Sequence, residues 1–84
     1  MIPRIKSCET IDNWKLKVDF DDGKKVVYDV LEDIESIPSY SVLKEDSKLF
    51  ENVRVDKSRT VVYWNDGVDL PSDAIYEYGV EIQK

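Results

Sequence analysis

Trp14, Leu16, Val18 and Phe20 alternate with Lys15, Lys17 and Asp19. A period of two places all four apolar side chains on one face of an extended chain, which is the pattern of a strand with one side buried. Asp21-Asp22-Gly23-Lys24 comes next, and Asp-Gly is a strong hairpin turn because both residues tolerate positive φ. Val26, Tyr28 and Val30 then alternate on a return strand. A slip of one residue would turn Trp14, Leu16, Val18 and Phe20 to water, so the pattern fixes the register as well as the strands. Ile2 to Thr10 reads as a preceding strand with Ile5 as its main apolar residue, joined through the turn pair Asp12-Asn13. A three-stranded antiparallel meander is therefore expected at the start.

The middle reads differently. Leu31, Ile34 and Ile37 recur at a spacing of three, and Pro38 disfavours helix at Ile37. Leu31 to Ser39 is a helical turn or an irregular loop. From Tyr40 to Asn52, Val42, Leu43, Leu49 and Phe50 supply an apolar stripe, with Asp46 or Ser47 as a cap for one or two short helical turns. Val53–Asp56 and Thr60–Trp64 are rich in β-branched and aromatic residues and form a second hairpin through Asp56-Lys57-Ser58-Arg59. Asn65-Asp66-Gly67 is a turn. Val68 and Leu70 lead into Pro71-Ser72-Asp73, where the acid suits the positive end of a helix dipole. Ala74 to Tyr78 completes that helix, Gly79 stands at the position of a left-handed C-terminal cap, and Val80 and Ile82 are placed to fold the tail back. The expected fold is α+β in the order β-β-β-α-β-β-α, one domain spanning residues 1–84.

Length and charge narrow the function. Eighty-four residues build one small core, which leaves stability on the order of 5 kcal/mol. Eighteen acidic residues against twelve basic ones give a net charge of -6, a field that repels nucleic acid unless cations cluster. The densest basic spots, Lys15–Lys17, Lys24–Lys25 and Arg54–Lys57–Arg59, lie among acids, so no phosphate-binding stripe is expected. A lone cysteine, Cys8, excludes an internal disulfide and fits a reducing cytoplasm. Residues 1–10 have no apolar signal core, and the longest apolar run, Val61–Trp64, is far short of the roughly 20 residues of a membrane span.

Several segments together resemble a known family. They are Pro3-Arg4-Ile5, Val18-Asp19-Phe20-Asp21-Asp22-Gly23, Val27-Tyr28-Asp29-Val30, Leu49-Phe50 with Val53-Arg54-Val55-Asp56, and Val62-Tyr63-Trp64-Asn65-Asp66-Gly67-Val68-Asp69-Leu70 before Ile75-Tyr76. In this order they are similar to the bacterial family of domain of unknown function 2442, over roughly Ile2 to Ile82. Trp64 to Leu70 is the most specific stretch. The resemblance implies a small α+β fold with a meander, a short helix, a second hairpin and a final helix, and it brings no catalytic residue or cofactor with it.

The residues themselves offer little chemistry. With no histidine, the Ser-His-Asp and Cys-His arrangements and the commonest transition-metal ligand are missing. Gly23, Gly67 and Gly79 are too far apart for a phosphate-cradling loop. Neither Asp66 with Asp69 nor Asp19-Asp21-Asp22 has the spacing of a calcium loop. Cys8 reads as a half-buried strand thiol, with Lys6 as the one nearby cation. The expectation is no metal, no cofactor and no catalytic residue. Trp64 beside Tyr63 is the most distinctive aromatic pair, and adjacent strand residues point to opposite faces, so one enters the core and the other faces out or lies under the last helix. Tyr63, Trp64, Asp66, Asp69 and Tyr76 form the candidate interaction surface. The leading expectation is a cytoplasmic, non-enzymatic protein-interaction module with a protein partner, and with neither nucleic acid nor membrane as its target. The alternatives are an antitoxin-like or regulatory partner of a basic neighbouring-gene product and a small carboxylate-dependent enzyme. Unpaired strand edges would also permit a homodimer.

Overall fold

A computed structural model describes residues 2–12, 14–65 and 67–82. The meander is present as β1 (Ile5–Ile11), β2 (Lys15–Phe20) and β3 (Lys25–Asp29). The antiparallel register pairs Val18 with both Cys8 and Val26, and Leu16 with both Thr10 and Tyr28. Leu16, Val18, Phe20 and Val26 all face the core, as the alternation required.

Trp14 departs from that alternation. It lies before β2, in the loop that joins Ile11 to Lys15, and has φ 55°. The last residue of a three-residue hairpin loop takes the left-handed conformation, and here that residue is Trp14. Its half-buried ring still packs on the core, and its Nε1 donates to the Leu43 carbonyl at 3.1 Å. Asn13, the other half of the expected turn pair, lies outside the described residues. The first strand also begins later than expected, at Ile5 instead of Ile2.

Val30 opens α1 (Val30–Ser36) and does not continue β3. The Asp29 carboxylate caps that helix by accepting from the Leu31 amide at 3.0 Å. Ile37 is extended, as a residue before proline should be, and Pro38 starts a single 3-10 turn to Tyr40. Two short helices follow, α2 (Ser41–Glu45) and α3 (Ser47–Glu51), with Asp46 accepting from the Lys48 and Leu49 amides at the start of α3.

The second hairpin, β4 (Arg54–Val55) and β5 (Val61–Asn65), gains a third strand, β6 (Val68–Pro71). Sequence reading took Val68 and Leu70 as a lead into the helix; they are the buried positions of an alternating strand. Helix α4 (Ser72–Tyr78) packs against both β3 and β6 and so joins the two sheets. Gly79 is not left-handed, since its φ is -69° and its ψ 154°. Glycine is needed there for space: a Cβ would lie 2.6 Å from the Ile75 carbonyl oxygen and 2.9 Å from the Val26 side chain. The close approach lets β7 (Val80–Glu81) pair with Val26 and Val27, making the first sheet four-stranded in the order β1-β2-β3-β7. The tail docks through this pairing and not through Val80, which is 73% exposed.

Both sheets and the helices share one core. Ile5, Leu16, Val18, Phe20 and Val26 meet Val62, Trp64, Val68 and Leu70, and Val30, Ile34, Leu43, Phe50 and Ile75 fill the space between. Each fully buried aliphatic or Phe side chain contributes roughly 1.5–3 kcal/mol. No helix among the described residues is long and apolar enough to cross a membrane.

Candidate interaction surface

Of the residues singled out from sequence, the structure brings Tyr63 and Asp69 together and places Trp64 and Tyr76 apart from them. Trp64 is buried, 6% exposed, with its ring stacked 6.0 Å from Phe50 and its Nε1 donating to the Phe50 carbonyl at 2.9 Å. It is therefore a core residue and cannot anchor a partner. Tyr63, its neighbour, faces the other way and stands opposite the exposed Asp69 across β5 and β6. Asp66 lies outside the described residues. The Asp69 carbonyl accepts the Tyr40 hydroxyl, which ties β6 to the helical segment. Tyr76 sits elsewhere, on α4 at the edge of a groove.

That groove has a volume of about 790 Å³ and is only half enclosed. Four distant segments line it: Ile2, Pro3 and Arg4; Phe20, Asp21 and Asp22 at the end of β2; Thr60 before β5; and Tyr76. Backbone bonds hold these segments in place. Asp21 N donates to Arg4 O at 2.9 Å, Ile5 N to Arg59 O at 2.7 Å and Ser72 N to Thr60 O at 2.8 Å. Ser72, fully buried, donates its hydroxyl to the Pro3 carbonyl at 2.7 Å and so pins the N-terminal segment to the start of α4.

The groove's polar rim is closed on itself. Arg59 reaches Asp21 with both arms of its fork, Nη1 at 3.0 Å and Nη2 at 2.9 Å. Its backbone has φ 61°, a conformation costly for a residue with a Cβ, so this loop is held by its surroundings. The Asp56 carboxylate contributes by accepting from the Ser58 amide and hydroxyl, and these bonds, the hydroxyl's first, hold its pKa low. Tyr76 is held on three sides. Its hydroxyl donates to Asp22 at 2.6 Å, its ring meets Phe20 edge-on at 4.9 Å, and Lys24 Nζ lies 4.0 Å over its face. The Tyr76 hydrogen bond, with help from the Lys24 amide, keeps Asp22 below the usual carboxylate range, and the same bond raises Tyr76 above the usual phenol value.

Cys8 lies half-buried in β1, and burial, with a smaller push from Glu9, raises its thiol to about 12. A thiol so raised is un-ionised at neutral pH and a poor nucleophile. Burial likewise raises Tyr40 to about 12. Among the described residues no group of three or more His, Cys, Asp or Glu side chains is placed to hold a metal ion.

Most of the groove was not singled out from sequence. Asp21 and Asp22 read as turn formers and Ile2 as a strand residue, which is correct or nearly so locally. No periodicity joins residues 2, 20, 60 and 76, so the sequence carried no signal that they meet.

Two antiparallel sheets joined by a C-terminal helix, with a groove where the N-terminal segment crosses between them, define a small α+β domain of the kind the sequence resemblance implied. The chain belongs to the family described as protein of unknown function DUF2442, whose model matches residues 5–81. Comparison with curated proteins and with solved structures returned no match.

Proposed function

We propose that this chain is a non-enzymatic protein-interaction module that receives a partner's side chains in the groove between its two sheets. The observation that carries the reading is a preorganised apolar surface whose rim acids, Asp21 and Asp22, already have partners. Ile2, Pro3 and Tyr76 offer apolar area over the buried Phe20, and Tyr76 is fixed before any partner arrives. A rigid aromatic loses little conformational entropy on binding, and for that reason such residues serve as anchors. Asp22 is also unsuited to serve as a general acid. A general acid at neutral pH needs a raised carboxyl, whereas Asp22 is held low by its donors. The test is selection from a displayed random-peptide library against the native chain and against Thr60→Trp, which fills the groove. Enrichment of a motif on the native chain alone supports the reading. Identical selection on both, or none on either, refutes it.

A second reading has its own observation. Residues 29–51, which carry α1, α2 and α3, hold seven acids against two lysines, nearly the whole excess charge of the chain. Ile37 stands exposed in the same segment. A basic regulatory partner, such as a neighbouring-gene product in an antitoxin-like pair, would be steered to this side. Its mark would be co-elution that weakens with salt and is lost when Glu32, Glu35 and Glu45 are reversed to Lys.

A further inference from the structure

We infer that the groove selects an extended segment of a partner protein in which a carboxylate stands beside an apolar side chain, with Arg4 as the residue that reads the carboxylate. This inference rests on the groove being the docking site.

Most charges at the groove are already committed. Asp21 has both oxygens occupied by Arg59. Asp22 accepts from Tyr76 Oη through Oδ2 and from the Lys24 amide through Oδ1 at 2.9 Å. Lys24 Nζ, besides lying over the Tyr76 ring, donates to the Tyr76 carbonyl at 3.1 Å. Asp21 is thus paired with Arg59, Asp22 is taken by Tyr76 and a backbone amide, and the Lys24 ammonium is taken by the Tyr76 ring and carbonyl. Arg4 differs: it is exposed, it lines the groove, and its guanidinium makes no hydrogen bond or ion pair among the described residues. Its carbonyl accepts from Asp21 N at 2.9 Å, so its backbone is fixed while its head is uncommitted. A guanidinium presents five N–H donors in a planar fork that fits a carboxylate with two parallel bonds.

The occupant follows from this arrangement. An incoming cation would face Arg4, while Asp21 is already neutralised by Arg59 and Asp22 is held by two donors. A carboxylate displaces nothing and pairs with Arg4. Beside Arg4 lie Ile2, 57% exposed, and Pro3, with Phe20 and Tyr76 beyond, so the group next to the carboxylate should be apolar. A half-open groove lined by four chain segments suits an extended peptide better than a small molecule, which binds where most of its surface can be enclosed.

The probes are three fluorescein-labelled peptides, Gly-Asp-Phe-Asp-Gly-Gly and its forms with both Asp replaced by Asn or by Lys. Anisotropy titrations would use the native chain, Arg4→Gln, Arg4→Glu and Thr60→Trp, each checked for native circular dichroism. An exposed ion pair changes affinity by up to about fivefold. The Asp peptide should bind the native chain about fivefold more tightly than the Asn peptide and more tightly still than the Lys peptide. Arg4→Gln should erase the preference, Arg4→Glu should reverse it, and Thr60→Trp should abolish binding of all three. Equal binding of the three peptides, lost in Thr60→Trp, overturns the role of Arg4 and leaves the groove reading standing. Binding that Thr60→Trp leaves intact, or no binding of any peptide, overturns both.

Discussion

Gly79→Ala should destabilise the protein, although its backbone conformation is one that alanine adopts freely. With φ -69° and ψ 154°, no strain opposes the substitution. Loss of unfolded-state freedom would by itself stabilise the variant by about 0.4–1 kcal/mol. The new Cβ, however, would sit 2.6 Å from Ile75 O and 2.9 Å from Val26 Cβ and Cγ2. Ile75 O belongs to the backbone of α4 and already accepts the Gly79 amide at 2.9 Å, while Val26 is fully buried, so neither neighbour moves cheaply. Overpacking costs about 1–3 kcal/mol, and a contact with fixed backbone belongs in the upper half of that range, which leaves a net loss of about 1–2.5 kcal/mol. For a domain of this size that lowers the melting midpoint by roughly 5–15 °C. Urea unfolding followed by tryptophan fluorescence reads the change directly. Gly67→Ala is the control, because among the described residues its Cβ meets only Asn65 Oδ1, at 3.7 Å, and its stability should stay within about 0.5 kcal/mol of native. A Gly79→Ala variant as stable as the native chain, or a Gly67→Ala variant that is the weaker of the two, would refute the close-packing account.

Three further outcomes are expected. Ser72→Ala leaves the Pro3 carbonyl without its donor and should cost about 1–3 kcal/mol, with faster amide exchange at Ile5, the first amide to reflect release of the N-terminal segment. Trp64→Phe keeps an aromatic beside Phe50 but loses the bond to the Phe50 carbonyl, so a denaturation midpoint equivalent to a loss of about 1–3 kcal/mol is expected, and unchanged partner or peptide binding would agree with a core role. The Asp22–Tyr76 bond gives two pH limits. The lowered Asp22 contributes stability that is full above the ordinary carboxylate range and is lost as pH falls through its depressed pKa. The raised Tyr76 contributes stability present below the ordinary phenol value and lost as pH rises through its elevated pKa. NMR titration should find both shifts in the native chain and a smaller rise at Tyr76 in Asp22→Asn; normal values in the native chain would show that the bond does not persist in solution.

Rules acting between near neighbours along the chain were enough for part of this fold. Alternation at Leu16, Val18, Phe20 and Val26 selected strands and their buried face, because a pleated chain has a period of two. Asp46 and Pro38 marked helix boundaries through bonds and clashes within a few residues. Other features were decided only by tertiary structure. Trp14 left its strand because a hairpin loop needed a left-handed residue at its end. Gly79 is a glycine because Val26 and α4 crowd it, a contact between elements more than fifty positions apart. Trp64 went to the core and Tyr63 outward once β6 and the helices closed over one face of β5. The groove is the extreme case. Its residues obey local rules where they stand and meet only because α4 draws the two sheets together, and no periodicity along a chain encodes where two sheets will touch.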